Sequence, residues 1–228
     1  MAVDAVIVIS AGTEWRFVCE YYPQAEIHPS PFGGWFEIDL ANRHVIFLQG
    51  GWGKISAAAS AQYALDHWSP ALMVNLGTCG GFAGMIDRSE VLLVDRTLVY
   101  DIIEQMVDPQ IAIQHYATDL DLSWLQGPYP QAVRRSLLVS ADRDICVSDI
   151  PMLQDQYSAV AADWESGAIA WVCARNGARC LILRGVSDLV GETGGEAYGA
   201  LEIFQAGTQR VMRPMLAALP AWLACCNQ

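Results

Sequence analysis

A chain of 228 residues, 53% of them apolar and 17% charged, can bury a large core in one sizeable domain and is too hydrophobic to remain disordered. Its formal net charge of −12 rests on 13 Lys and Arg against 25 Asp and Glu. So few cations cannot build a phosphate-neutralising face, which excludes nucleic acid as a partner.

In chain order, the apolar run at residues 5–10 has no basic region ahead of it. It is too short for a secretory signal or a membrane span, and reads as a buried first strand. Residues 35–39 and 44–49 alternate in hydropathy across a short break and predict a hairpin. An Ala-rich helix is expected over 54–67, stopping before Pro70. Residues 72–76 and 91–95 read as strands, whereas 100–130 has weak periodicity and no structure is assigned to it. Strands follow at 137–140 and 179–186; the latter (RCLILRGV) is the most strand-like run in the chain. Between them 163–176 predicts a helix, with Gly177 as its C-terminal stop. A last helical region follows Gly195 and is expected to break near Pro214. The apolar stretch 216–226 contains Pro220 and is again too short for a membrane span.

Short β-branched runs alternating with longer helical patterns indicate an α/β protein. The expectation is a single domain over 1–228, a three-layer α/β/α arrangement around a central mixed, mostly parallel twisted sheet. No repeat, low-complexity tract or linker divides it. The seven cysteines, Cys19, Cys79, Cys146, Cys173, Cys180, Cys225 and Cys226, form no CxxC pair and have no His at metal-ligand spacing. They read as reduced thiols of a cytoplasmic protein without a metal site.

Five local patterns carry chemistry. Residues 10–15 (SAGTEW) place Glu14 just after the first strand. Residues 50–54 (GGWGK) form a glycine turn before a helix, but Leu48 and Ile55 exclude a Walker A loop. Residues 75–81 (NLGTCGG) follow a strand; Cys79 breaks the dinucleotide-binding pattern, and the loop would offer the Thr78 hydroxyl and bare peptide faces to a flat ligand. In 162–170 (ADWESGAIA), Asp163 is a candidate N-cap, and Glu165 falls in a first helical turn where the macrodipole favours its anion. Finally, 184–188 (RGVSD) puts Asp188 at the end of the strongest strand, where ligands bind in open α/β sheets. Each pattern also has a plain reading as a cap, a tight turn or a solvated first-turn acid.

Together, in this order, these patterns resemble the purine nucleoside phosphorylase and uridine phosphorylase superfamily. The similarity is strongest to its 5′-methylthioadenosine/S-adenosylhomocysteine nucleosidase branch and runs from about residue 5 to 205. The most specific matches are 163–170 and 184–188. The resemblance implies hydrolysis of a purine-type nucleoside at its N-glycosidic bond. It makes Asp188 the general acid toward the base, Glu14 the carboxylate that activates water, and Glu165 the group that holds the ribose hydroxyls. Thr78, Cys79, Gly80, Ile145, Trp164 and Ser187 would contact the substrate, with Trp164 standing in for a Met beneath the sugar. It further implies a homodimer and no metal or organic cofactor.

Asn75 replaces the Arg with which phosphorylases of this superfamily grip phosphate, which points to hydrolysis. At 140–145 (SADRDI), Asp144 takes the place of a Phe that stacks on adenine. The segment 100–108 departs from the usual His-Asp pattern, so the base and the 5′ substituent stay open. A phosphate-dependent phosphorylase and a non-catalytic nucleoside-binding protein are the alternatives.

Overall fold

The computed structural model describes residues 2–226; residues 1, 227 and 228 of the expected single-domain span lie outside the described residues. The elements are β1 (Ala5–Ile9), α1 (Gly12–Tyr21), β2 (His28–Ser30), β3 (Gly33–Leu40), β4 (Arg43–Gln49), α2 (Lys54–Trp68), β5 (Leu72–Phe82), β6 (Val91–Val99), α3 (Pro109–His115), β7 (Thr118–Asp119), β8 (Arg134–Ser140), α4 (Ile150–Tyr157), β9 (Ala161–Asp163), α5 (Ser166–Arg175), β10 (Cys180–Gly191), β11 (Gly194–Gly195) and α6 (Leu201–Ala224).

Strand β1 is buried along its whole length, and its side chains alternate between two cores as the period of two requires. Val6 and Val8 enter a core shared with Ala57 and Ala61 of α2 and Ile169 of α5. Ala5, Ile7 and Ile9 enter the opposite core with Val18 of α1 and Val211, Met212 and Met215 of α6. Helices therefore cover both faces of the sheet, and the α/β class holds. The expected hairpin is β3–β4, paired from Trp35↔Leu48 to Leu40↔Arg43. Its two turn residues, Ala41 and Asn42, have φ of 54° and 60°, the handedness that matches strand twist.

The sheet is mixed. Its parallel pairs are β1–β4, β1–β5, β5–β10, β6–β8 and β8–β9. Antiparallel pairs such as β6–β10 and β5–β9 are as prominent, so the sheet is less parallel than the sequence pattern suggests. These contacts also close β5, β10, β6, β8 and β9 into a ring.

Several boundaries move for physical reasons. Residues 75–81 are the second half of β5 rather than a loop, because β10 and β9 hydrogen-bond this run and override the low strand propensity of glycine. Residues 184–188 likewise lie inside β10, with a register shift between Val186 and Asp188; such a bulge re-aims a side chain. The helix expected from Asp163 starts at Ser166, since Asp163 is drawn into β9 beside Ser140. Helix α6 runs unbroken through Pro214 and Pro220. Its buried stripe of Val211, Met212, Met215, Leu216 and Leu219 supplies the packing that offsets the lost hydrogen bonds. The unassigned stretch holds α3, whose N-cap Asp108 accepts the Gln110 N–H at 3.0 Å. Among the described residues, no helix is long and apolar enough to cross a membrane.

Candidate active site

A cavity of about 800 Å³ lies beside the second halves of β5 and β10, within the range of small-molecule sites. The register pairs Gly77 with Arg184, Thr78 with Gly185 and Gly80 with Asp188, so two patterns more than 100 positions apart in the chain become adjacent strands. The cavity wall contains Glu14, Glu165 and Asp188, and also Thr78, Cys79 and Gly80 from β5. Ile145, Trp164 and Ser187 complete the set singled out from the sequence. All nine meet at one site.

Behind the cavity sits Arg184, fully buried inside β10. A buried guanidinium survives only with partners that satisfy its fork and balance its charge. Its Nη2 is 3.0 Å from Asp163 Oδ2 and 3.6 Å from Glu165 Oε2, and its Nη1 is 3.9 Å from Glu14 Oε1. Its Nε donates to Ser166 Oγ at 3.0 Å and its Nη2 to Asn75 Oδ1 at 2.9 Å. One cation thus balances three buried carboxylates. A Cβ on Gly77 would lie 2.1 Å from Arg184 Nη1 and 2.8 Å from Glu14 Oε1, so this position admits only glycine.

Glu14, in the first turn of α1, is 1% exposed. Its Oε1 accepts the Thr78 N–H at 2.6 Å and the Thr78 hydroxyl at 2.7 Å, and its Oε2 accepts the Ala11 N–H at 3.2 Å. The donors that the sequence reading left free for a ligand are therefore aimed at a carboxylate. Asp163 accepts from Ser140 Oγ at 2.6 Å and from the Ser166 N–H at 3.1 Å. It caps α5 from within a strand, so the capping reading is right in its bond and wrong in its element.

Glu165 occupies the N-cap position of α5, not its first turn. Burial pushes its carboxyl up to about 8, against the pull of Arg184, with Asp163 and Glu14 adding to the rise. Desolvation outweighs the helix dipole that the sequence reading invoked. Its Oε1 accepts the Gly53 N–H at 3.1 Å. Asp188 is 6% exposed, and its Oδ1 accepts the Ser187 hydroxyl at 2.6 Å. Burial raises its pKa; the Ser187 hydrogen bond and Arg88 oppose this, while Glu196 and Asp144 add to it.

Trp52 and Trp164 both face the cavity, with ring centroids 5.5 Å apart at 44°, and Trp52 is 68% exposed. Leu201 and Phe204 add apolar surface, and Asp144 also lines the wall. Ile145 has its carbonyl taken by the Tyr198 hydroxyl at 3.0 Å. Asn75 is not at the cavity; it is buried and holds Ser166 Oγ at 2.9 Å. Sequence reasoning gave no site role to Arg184, Asp163 or Tyr198. Arg184 carried a signal, a charge inside an apolar strand run, which requires a buried counter-charge. Tyr198, in a loop after β11, carried none. Among the described residues, no group of three or more His, Cys, Asp or Glu is disposed to hold a metal ion.

Residues 4–219 match the phosphorylase superfamily. The 5′-methylthioadenosine/S-adenosylhomocysteine nucleosidase of Chromohalobacter salexigens is 28% identical over 185 residues, 74% of this chain and 76% of that protein. The protein of the same name from Geobacillus kaustophilus is 24% identical over 168 residues, covering 67% and 70% of the two chains. Among solved structures, a Helicobacter pylori nucleosidase mutant with 5′-methylthioadenosine in its active site superposes with a TM-score of 0.79 at 15% identity, over 97% of this chain and 100% of that one. The futalosine hydrolase of Helicobacter pylori also gives 0.79 at 15% identity, over 97% and 99%. At such identities the superpositions speak for the fold.

Proposed function

Because the chain belongs to the phosphorylase superfamily, we propose that it is a hydrolase, a nucleosidase that cleaves the N-glycosidic bond of a purine-type nucleoside with water. In this reading the whole chain is one catalytic domain of three-layer α/β/α type. The observation that carries the reading is the engagement of Thr78 and Arg184 with Glu14. Those donors would otherwise form the anion site that a phosphorylase needs, and Arg184 is already engaged by three buried carboxyl groups, so its charge is not free to attract a phosphate dianion.

Departure of a purine leaves negative charge on the base and oxocarbenium character on the sugar, so three needs arise. Asp188, whose pKa is raised by burial, delivers a proton to the base nitrogen as the C–N bond lengthens. Glu14 is fixed by three hydrogen bonds and, with lone pairs to spare, takes the proton of the attacking water. Glu165 accepts hydrogen bonds from the ribose hydroxyls and, with Glu14, faces the developing positive charge. Thr78, Cys79 and Gly80 form the floor under the nucleoside, Ile145 and Ser187 flank the base, and Trp164 packs against the sugar. Trp52, Leu201 and Phe204 suit an apolar 5′ substituent of the methylthioadenosine type; another modified nucleoside is accommodated by the same carboxylates. No cofactor takes part.

The test is release of free base from a panel of 5′-thio, 5′-hydroxy and futalosine-type nucleosides, in buffers with and without phosphate. Equal rates in both buffers are expected. Strict phosphate dependence would make the enzyme a phosphorylase, and binding without release would make it a binding protein; either overturns the reading. We also read the protein as a cytoplasmic homodimer, supported by exposed Ile103, Met106, Val107 and Ile111 between β6 and α4, apolar surface of a kind that marks interfaces. Sedimentation at micromolar concentration is expected to give twice the chain mass of 24.9 kDa, and a monomer would sink this part.

A further inference from the structure

Lys54 ends the glycine turn before α2, yet it is not on the cavity wall. Its ammonium bonds Asp101 and lies 3.7 Å from Asp142 Oδ2. The helix it begins has no side-chain cap of its own, since Gly53 is the N-cap residue. The Lys54 N–H is capped instead from 88 positions away, by Asp142 Oδ1 at 2.7 Å. Asp142 in turn donates its own N–H to Asp101 Oδ2 at 2.9 Å. The three side chains thus tie together the turn between β4 and α2, the loop after β6 and the loop after β8. Side-chain exposures of 21%, 16% and 38% shield the clasp more than a surface ion pair is shielded.

Both ends of this clasp reach the cavity within a residue or two. Gly53, next to Lys54, donates its N–H to Glu165 Oε1 at 3.1 Å, and Trp52 precedes it on the wall. Arg143, Asp144 and Ile145, next to Asp142, form another part of the wall. We propose that Lys54, Asp101 and Asp142 act as a positioning clasp that presents the Gly53 N–H to Glu165 and keeps the sugar-holding carboxylate in register with the base loop. Lys54 therefore works through backbone placement and touches no substrate. A purely structural cap would be indifferent to what Gly53 and Ile145 face; this one joins the turn that carries Trp52 and Gly53 to the loop that carries Ile145. The inference rests on the nucleosidase reading for its consequence and on the hydrogen-bond circuit for its existence.

The test compares Lys54→Met, Asp142→Asn and Lys54→Arg with the unaltered protein. Lys54→Met and Asp142→Asn are expected to raise KM for the nucleoside about tenfold, the effect of losing one hydrogen bond to a charged group. The acidic limb of kcat/KM is expected to move to higher pH. Burial raises the pKa of Glu165, with Asp163 and Glu14 adding to the rise, while Arg184 and the Gly53 N–H lower it, so losing that N–H moves it up. Lys54→Arg keeps the charge and is expected to restore most of both. Variants that lose thermal stability while keeping KM and the acidic limb would overturn the clasp and leave a simple cap. If the unaltered protein releases no base, the nucleosidase reading fails separately. The clasp is then decided by near-ultraviolet circular dichroism of the Trp52–Trp164 pair, which Lys54→Met must alter if the turn is held by Lys54 and must leave unchanged if it is not.

Discussion

Asp188→Asn is expected to slow base release about 10²- to 10⁴-fold, the contribution of a positioned general acid, with little change in KM. Asn is nearly isosteric and can still accept the Ser187 hydroxyl, which lies 2.6 Å from Asp188 Oδ1. The fold should therefore survive, and thermal unfolding serves as the control. The pH dependence fixes the role further. As the proposed acid, Asp188 must be protonated for activity, which is then expected to fall as pH rises through its folded-state value. Burial, with Glu196 and Asp144, raises that value above the ordinary one for an Asp, against the Ser187 hydrogen bond and Arg88, so the alkaline limb is expected above the pH at which a solvated Asp would have lost its proton. This limb should disappear from the residual activity of the Asn variant. Near-normal base release by Asp188→Asn would remove Asp188 from the chemistry.

Arg184→Met should have the largest effect on stability. Breaking a buried ionic group by removing one partner typically costs about 3–5 kcal/mol, a large share of a domain's total of roughly 5–15 kcal/mol. Here the cost falls on Glu14, Asp163 and Glu165 together, all within 4 Å of the lost guanidinium. The deficit should depend on pH with a definite sign. Carboxyls whose folded pKa is raised bind protons more tightly in the folded state, so their contribution is complete below the unfolded value and is lost as pH rises through the folded one. For Glu165 that interval runs from 4.5 to about 8 even with Arg184 present. Denaturant unfolding of Arg184→Met should thus show the greatest loss near pH 8 and partial recovery toward pH 5. Arg184→Lys, which keeps the charge without the planar fork, is expected to fold and to show a smaller deficit. A deficit that is flat across this range in both variants would mean that Arg184 does not neutralise the carboxylates.

What the sequence by itself determined was the class of fold and the set of candidate site residues. Alternating β-branched and helical runs follow from local periodicity, as does the β3–β4 hairpin, and Gly177 stops α5 with φ of 63°. The nine candidate site residues were legible because motif order survives in the chain, and the structure gathers all of them on one cavity. Tertiary structure alone decided the rest. The glycine-rich run 77–81, of low strand propensity, became the second half of β5, because β10 and β9 supplied its hydrogen bonds. Helix α6 ignored two prolines because its buried stripe outweighed them. Glu165 lost the preference for its anion that a helix terminus would give, because desolvation depends on what surrounds a group and not on its position in a motif. Arg184, Asp163 and the Lys54 clasp draw charged partners from 19 to 170 positions away. Charges separated so far in the chain meet only after the strands pair, so their balance is a property of the fold and not of any segment.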